Sequence, residues 1–115
     1  MIIREIVPTV PPECDVHGFL YECDSKHEMG EDMLDVSLPN GVLIIAGWYP
    51  EGDPSGCYCV SVYRGYEELI PALESGDIDA ATADVEQCVQ QFFDRNLQTV
   101  SDSESTCQFT GLVTT

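Results

Sequence analysis

Residues 32–64 read DMLDVSLPNGVLIIAGWYPEGDPSGCYCVSVYR, and this stretch decides the fold. Apolar side chains alternate with polar ones over 32–38, which predicts a strand with one buried face. Residues 42–49 are apolar throughout, as expected of a central strand covered on both faces. Residues 57–64 are rich in Tyr and Val, which favour a third strand. Turn-forming Pro, Asn, Asp and Gly separate these strands at 38–41 and 53–56. The sequence therefore predicts an antiparallel meander.

The apolar period changes in the last third of the chain. From Asp77 or Asp79 onward, apolar side chains recur at helical spacing and gather on one side. Aspartates at this position cap a helix and complement its dipole. The pattern predicts an amphipathic helix of about 16 to 18 residues lying on the sheet. Its apolar stripe consists of Ile78, Ala81, Val85, Cys88, Val89, Phe92 and Phe93.

The flanking regions complete the expected fold. Residues 1–7 and 17–23 each predict a strand, whereas Pro71 leaves 66–75 as a loop, a short edge strand or one helical turn. An antiparallel meander of about four to five strands, with one long C-terminal helix packed on one face, belongs to the α+β class. We expect a single domain over 1–115, with loop or frayed tail at 98–106 and 114–115.

The charge balance restricts the partners. The chain of 115 residues has 21 acidic and 4 basic side chains, which gives a formal net charge of −17. Nucleic acid and anionic membrane would both be repelled. No apolar run approaches the ~20 residues that a membrane helix needs. Glu5 and Pro8 interrupt the apolar start, so no secretory signal is predicted and a cytoplasmic location is expected.

Six cysteines are numerous for such a chain, and without an export signal we expect reduced thiols rather than disulfides. Both histidines lie close to two of these cysteines, with the spacing Cys-x2-His-x5-Cys-x3-His. Zinc prefers four thiolate or imidazole ligands, commonly arranged as two close pairs. A structural zinc site is therefore one hypothesis, against the alternative of surface histidines and core cysteines. Its four ligands would be Cys14, His17, Cys23 and His27.

Three further cysteines lie within the predicted strands and helix. Cys57 and Cys59 lie two apart on one strand, so they project from the same face. A disulfide between them would be strained. Paired ligation or redox chemistry is one use, and packing of small residues is the favoured one. Cys88 lies within the helix stripe and is expected to pack in the core.

Signatures of catalysis are missing from the sequence. It has no Gly-x-Ser-x-Gly elbow, no phosphate-binding glycine loop followed by Lys, and no dinucleotide fingerprint. His27-Glu28 lacks the second histidine of a metalloprotease helix. Paired carboxylates are abundant, but abundance alone does not identify an acid/base pair. An enzyme is therefore the weaker class, and no cofactor is expected apart from the zinc alternative.

Aromatic and acidic residues lie together around the second turn. Trp and Tyr are common anchors of protein interfaces, and a rim of carboxylates suits a basic partner. The competing interpretation is that Trp48 fills the core and the turn is acidic because it is solvated. The predicted docking surface comprises Trp48, Tyr49, Glu51, Asp53, Glu28, Glu31, Asp32 and Asp35.

Three functional classes follow from these observations. The first is an acidic module that docks on a basic protein, with a general likeness, carried by no motif, to inhibitors and immunity proteins that neutralise nuclease toxins. The second is a small structural or regulatory zinc-binding domain. In the third, the acidity is a solvation adaptation to a saline cytoplasm. Because one helix covers only one face of the sheet, a first hairpin, the C-terminal tail or a second subunit would have to cover the other face. A homodimer through that face is one of these alternatives.

Overall fold

A computed structural model describes residues 1–101, with side chains through Phe93. Within this part the chain forms eight strands, a short 3-10 turn over Lys26–Glu28 and one long helix. The strands are β1 (Ile2–Ile6), β2 (Asp15–Gly18), β3 (Leu20–Cys23), β4 (Leu34–Ser37), β5 (Val42–Tyr49), β6 (Cys57–Arg64), β7 (Glu67–Glu68) and β8 (Leu73–Ser75), and the helix is α1 (Ile78–Ser101).

The strands form two antiparallel sheets. A six-stranded sheet has the order β2-β4-β5-β6-β7, with β8 also paired to β6, and β1 pairs with β3 in a separate two-stranded sheet. The predicted meander of β4, β5 and β6 is confirmed, with Val36 opposite Ile44 and Ile44 opposite Val62. Together with the helix on the sheet, this arrangement confirms the α+β class.

The α1 helix packs on one face of the six-stranded sheet, here called the inner face. Alternate residues of β4, β5 and β6, among them Val36, Ile44 and Val62, are buried there. They form one core cluster with the helix stripe from Ile78 to Phe92, as the helical spacing predicts. Arg4 ties β1 to the start of the helix, because its guanidinium donates to Asp79 over 2.6 and 2.9 Å.

The helix is longer than its sequence pattern predicts. It continues to Ser101, through residues 98–101 where a loop is expected. In the sequence, Leu97 and Val100 continue the helical spacing of apolar residues beyond Phe93. The other residues of the predicted loop and tail, 102–106 and 114–115, lie outside the described residues.

Residues 17–23 do not form the single strand that the sequence predicts. The chain bends after Gly18, so that β2 pairs with β4 whereas β3 pairs with β1. Gly18 has a φ of +83°, and a Cβ atom there would lie 2.2 Å from the Met33 carbonyl oxygen. Only glycine accepts both conditions at once.

Of the alternatives for 66–75, the short edge strand is confirmed, since β7 and β8 lie on either side of Pro71.

Candidate functional site on the open face of the sheet

The face of the six-stranded sheet opposite α1, here called the outer face, carries a mixed set of polar and apolar side chains. Its residues alternate with the buried ones, and strand register places His17, Asp35, Ile45 and Ser61 side by side in one row. Leu43 and Tyr63 belong to the next row, at the far end of β5 and β6. Ile45, Leu43 and Tyr63 remain half-buried. The apolar character of β5 on both faces is therefore not fully covered within residues 1–101.

A backbone segment over residues 30–33, here called the strap, runs along the β4 side of β5 and brings the Glu31 carbonyl over Gly47 on this face. The Trp48 amide donates to the Gly30 carbonyl at 2.9 Å, and the Met33 amide donates to the Ala46 carbonyl at 3.0 Å. Two residues of the strap therefore oppose Gly47 alone, which is the arrangement of a β-bulge. A Cβ atom on Gly47 would lie 1.4 Å from the Glu31 carbonyl oxygen, so the strap requires glycine at this position.

An open cleft of about 420 Å³ lies beside the strap. Leu43 and Ile45 give it an apolar floor, whereas Asp32 and Asp35 bring carboxylates to its rim. Within the described residues neither carboxylate pairs with a lysine or an arginine. The full lining is His17, Gly18, Asp32, Met33, Leu34, Asp35, Leu43 and Ile45.

Two polar side chains orient the carboxylates of the cleft. His17 Nδ1 lies 3.2 Å from Asp35 Oδ1, across the β2–β4 pair. Tyr49 donates its hydroxyl to Asp32 Oδ1 at 3.3 Å. Burial, together with the negative charge of Asp32, raises the pKa of Tyr49 to about 12, so this donor keeps its proton at neutral pH. Both contacts leave carboxylate oxygens free to accept further hydrogen bonds.

A second cluster lies where β6 pairs with β8. Cys57 and Cys59 are neighbours on one face of β6, and their sulfur atoms are 3.8 Å apart. Glu74 is the cross-strand partner of Cys59. One ligand atom from each of the three residues lies within 4.8 Å of the others. Burial first, and the neighbouring Cys57 second, raise the pKa of the Cys59 thiol well above its usual range.

The predicted aromatic anchor is not on the surface. Trp48 is 2% exposed, and its indole Nε1 donates to the Asp53 carbonyl oxygen at 2.8 Å. Its ring meets that of Tyr58 edge to face at 5.1 Å between centroids, and the Lys26 ammonium lies 4.9 Å from its ring centroid. Trp48 is therefore a core residue, and its assignment as an exposed docking anchor is wrong.

The acidic part of the predicted docking surface divides into three places. Asp32 and Asp35 line the cleft, and Glu31 belongs to the strap beside it. Asp53 accepts from the Ser55 amide at 2.9 Å and from its hydroxyl at 2.7 Å, and these hydrogen bonds lower the pKa of Asp53. The remaining acids lie outside the cleft lining: Glu28 contacts the amino group of Met1, and Glu51 is exposed in the turn.

The structure does not assemble the predicted zinc ligands. Among residues 1–93, no three of Cys14, His17, Cys23 and His27 bring their ligand atoms within 4.8 Å of one another. The bend after Gly18 separates these residues, because His17 lies on β2 of the six-stranded sheet whereas Cys23 lies on β3 of the two-stranded sheet. Both cysteines are buried, whereas both histidines are exposed. The described residues therefore do not bring these four candidate ligands together, and the burial pattern agrees with the alternative of surface histidines and core cysteines.

Sequence reasoning missed the strap and the floor of the cleft. Gly47 interrupts an otherwise apolar strand, and an isolated glycine in a strand often marks a bulge or a close backbone approach. This signal was available in the sequence. The apolar floor of the cleft was also indicated by the sequence, because Leu43 and Ile45 are apolar residues on the face of β5 that the single helix does not cover. Neither signal shows which segment lies above the strand.

Comparisons with protein-family models, with curated protein sequences and with solved structures each found no match to this chain. Within residues 1–101, no helix combines the length and the apolar character that crossing a membrane requires.

Proposed function

We propose that this protein is an acidic binding module that docks on a basic segment of a partner protein. The observation that supports the proposal is the outer-face cleft, which combines an apolar floor with carboxylates at its rim. In this proposal a partner arginine or lysine enters the cleft. The surrounding turn and strap residues, including Glu31 and Glu51, contribute to the rim of the interface.

The cleft suits a long basic side chain in both its parts. The aliphatic stem of arginine or lysine packs well on an apolar surface such as that of Leu43 and Ile45. The charged end group then reaches Asp32 or Asp35, and an arginine can form two parallel hydrogen bonds to one carboxylate. His17 and Tyr49 hold these carboxylates in place through their own contacts, at 3.2 and 3.3 Å. Such preorganisation reduces the ordering cost of binding.

The overall charge favours the same partner. A net charge of −17 attracts basic proteins over long range and accelerates their encounter at low salt. A second copy of this chain would bring the same negative charge to the interface. Electrostatics therefore favours a basic partner over a homodimer on this face.

The alternative hypothesis, that the acidity is a solvation adaptation to salt, predicts a different distribution of carboxylates. It requires carboxylates spread over the exposed surface, and it does not require that two of them meet above half-buried Leu43 and Ile45. The two hypotheses therefore differ in whether binding of a basic group is local. A local site saturates and depends on particular acids, whereas a general acidic field depends only on net charge.

The test compares two short peptides by NMR, one with a central arginine and one with citrulline, its uncharged isostere. We expect the arginine peptide to shift the amide signals of Asp35, Leu43 and Ile45 in a saturable way, and the citrulline peptide to have much weaker effects. The double variant Asp32→Asn/Asp35→Asn should reduce the affinity on the order of tenfold, as expected when charge-assisted hydrogen bonds are lost.

The matched control is Glu13→Gln/Glu67→Gln, which removes the same charge from exposed positions outside the cleft lining. It should retain the affinity of the wild type at moderate salt. Shifts distributed over all acidic surfaces, or equal losses in the two double variants, would contradict the proposal and favour the solvation hypothesis. Once the site is established, capture from native lysate with the wild type and the Asp32/Asp35 variant in parallel identifies the partner that depends on the cleft.

A further inference from the structure

The Cys57–Cys59–Glu74 cluster lies apart from the residues that line the cleft. Its three side chains lie on the outer face, where β6 pairs with β8. Cys57 and Cys59 belong to β6, on which Cys59 is the cross-strand partner of Gly47, and Glu74 belongs to β8. The proposed docking function makes no use of two neighbouring thiols. From this placement we propose that Cys57, Cys59 and Glu74 form a binding site for a zinc-class divalent metal ion.

The spacing of the two sulfur atoms fits a shared metal ion. Two thiolates bound to zinc at about 2.3 Å in tetrahedral geometry lie about 3.8 Å apart. The observed distance between the Cys57 and Cys59 sulfur atoms is 3.8 Å. The β6 strand does not have to move to bring these two ligands to an ion. Preorganised ligands of this kind bind a metal without the ordering cost of an open chain.

The same two cysteines are poorly placed for a disulfide. Residues two apart on a regular strand have Cα atoms about 6.7 Å apart, at the upper end of the range that disulfides span. Closing that bond would bend β6 within its pairing with β5. A metal ion instead bridges the sulfur atoms at the separation they already have. The geometry therefore favours ligation over oxidation.

Glu74 supplies the third ligand from the neighbouring strand. It lies directly opposite Cys59 in the β6–β8 pair, and directly opposed side chains project from the same face. Its carboxylate is exposed, and its oxygen lies within 4.8 Å of both sulfur atoms. Rotation of this flexible side chain brings the oxygen to bonding distance. Zinc accepts carboxylate oxygen as well as thiolate sulfur as a ligand.

Three ligands leave one position of the tetrahedron for water or an added ligand. Two thiolates and one carboxylate carry three negative charges, which a divalent ion reduces to one. The acidic surface of the chain adds a field that attracts cations. Thiolates select zinc over the hard ions Mg²⁺ and Ca²⁺, which prefer shells of oxygen ligands. The site would also fasten β8 to β6, because its ligands come from both strands.

Cobalt(II) is the probe for this proposal, because thiolate ligands give tetrahedral cobalt intense charge-transfer and visible bands. We expect the reduced, metal-free chain to bind one equivalent with these bands, and Zn²⁺ to displace the cobalt stoichiometrically. Cys57→Ser should remove much of the charge-transfer intensity. Glu74→Gln, a change at an exposed position, should weaken binding on the order of tenfold without affecting the fold.

Matched controls separate this site from the other thiols and acids. Glu68→Gln on β7, Cys88→Ala in the helix and Cys107→Ser should each bind cobalt as the wild type does. Circular dichroism of every variant confirms that it is folded. An octahedral spectrum without thiolate bands, or bands that persist unchanged in Cys57→Ser, would overturn the proposal. Equal affinities of Glu74→Gln and Glu68→Gln would overturn the assignment of Glu74 as a ligand.

Discussion

The two faces of the six-stranded sheet are built from the same strands but have opposite chemistry. On the inner face, Ile44, Val62 and Tyr58 are at most 1% exposed and pack under α1 and β3. On the outer face, Ile45 and Tyr63 alternate with them yet remain half-buried beside carboxylates and thiols. Stability therefore resides mainly in one face, whereas both candidate binding sites lie on the other.

The largest expected effect compares two adjacent isoleucines of β5. Ile44→Ala empties a filled core position and should lower the free energy of unfolding by about 4 kcal/mol. Ile45→Ala removes the same atoms from the outer face and should cost about 1 kcal/mol. Any change in strand propensity is common to both variants. Urea unfolding measures the two values, and equal costs would mean that the outer face is as tightly packed as the inner one.

The next effect concerns the strap above Gly47. Gly47→Ala places a methyl group on the Glu31 carbonyl, so the strap must move, at a cost of about 3 kcal/mol. Gly76→Ala is the control, because nothing lies within 4 Å of the added Cβ atom. Thermal unfolding and arginine-peptide binding are measured on both variants. Retained stability and binding in Gly47→Ala would show that the strap does not shape the cleft.

The smallest effect compares a tyrosine of each face. The Tyr58 hydroxyl donates to the Tyr21 carbonyl at 2.8 Å, so Tyr58→Phe should cost about 1 to 2 kcal/mol at neutral pH. Tyr63→Phe on the outer face is the control and should cost less. Unfolding by urea at neutral pH measures both, and equal losses would contradict the assigned role of the buried hydrogen bond.

Tyr58→Phe and Tyr63→Phe should also differ in how strongly their stability decreases at alkaline pH. Burial raises the pKa of Tyr58 above that of a free tyrosine, because the interior disfavours the phenolate. The raised pKa contributes stability that is fully present below the unfolded pKa of about 10 and is lost as the pH rises through the folded pKa. Tyr58→Phe should therefore lose less stability between neutral and strongly alkaline pH than Tyr63→Phe does. Identical pH profiles would contradict burial as the cause.

The inner face was predictable from the sequence because burial repeats with the period of the backbone. Alternation identified Leu34 and Val36, and the 3.6-residue spacing identified Val85 and Val89, since each pattern reports one element at a time. The candidate sites depend instead on how separate elements pair with one another. Asp32 and Leu43 line the same cleft, and the bulge at Gly47 that shapes it is not encoded in the alternation of either strand. The candidate zinc ligands are separated for the same reason, because the bend after Gly18 places His17 and Cys23 in different sheets.

The Cys57–Cys59–Glu74 cluster was predictable from the sequence only in part, because the sequence placed the Cys57–Cys59 pair but not Glu74. The shared face of the pair follows from strand periodicity, and the sequence alone could state that much. The third group, Glu74, joins only because β8 pairs with β6 in a particular register. A short edge strand was one of three alternatives for residues 66–75, and only the structure places a strand at Leu73–Ser75. The cluster therefore became visible only with the register.

The strands at the two edges of the six-stranded sheet are short and charged, which opposes self-association. β2 forms one edge, and β7 and β8 form the other; they are four, two and three residues long, and they carry Asp15, the Glu67–Glu68 pair and Glu74. An exposed sheet edge is a template on which further copies of a chain can add strands, and short, charged edges oppose this. Two copies that approach edge to edge would bring like charges together before any backbone hydrogen bond forms. The protein can thus leave a sheet face open for binding while its acidic edges oppose growth into cross-β aggregates.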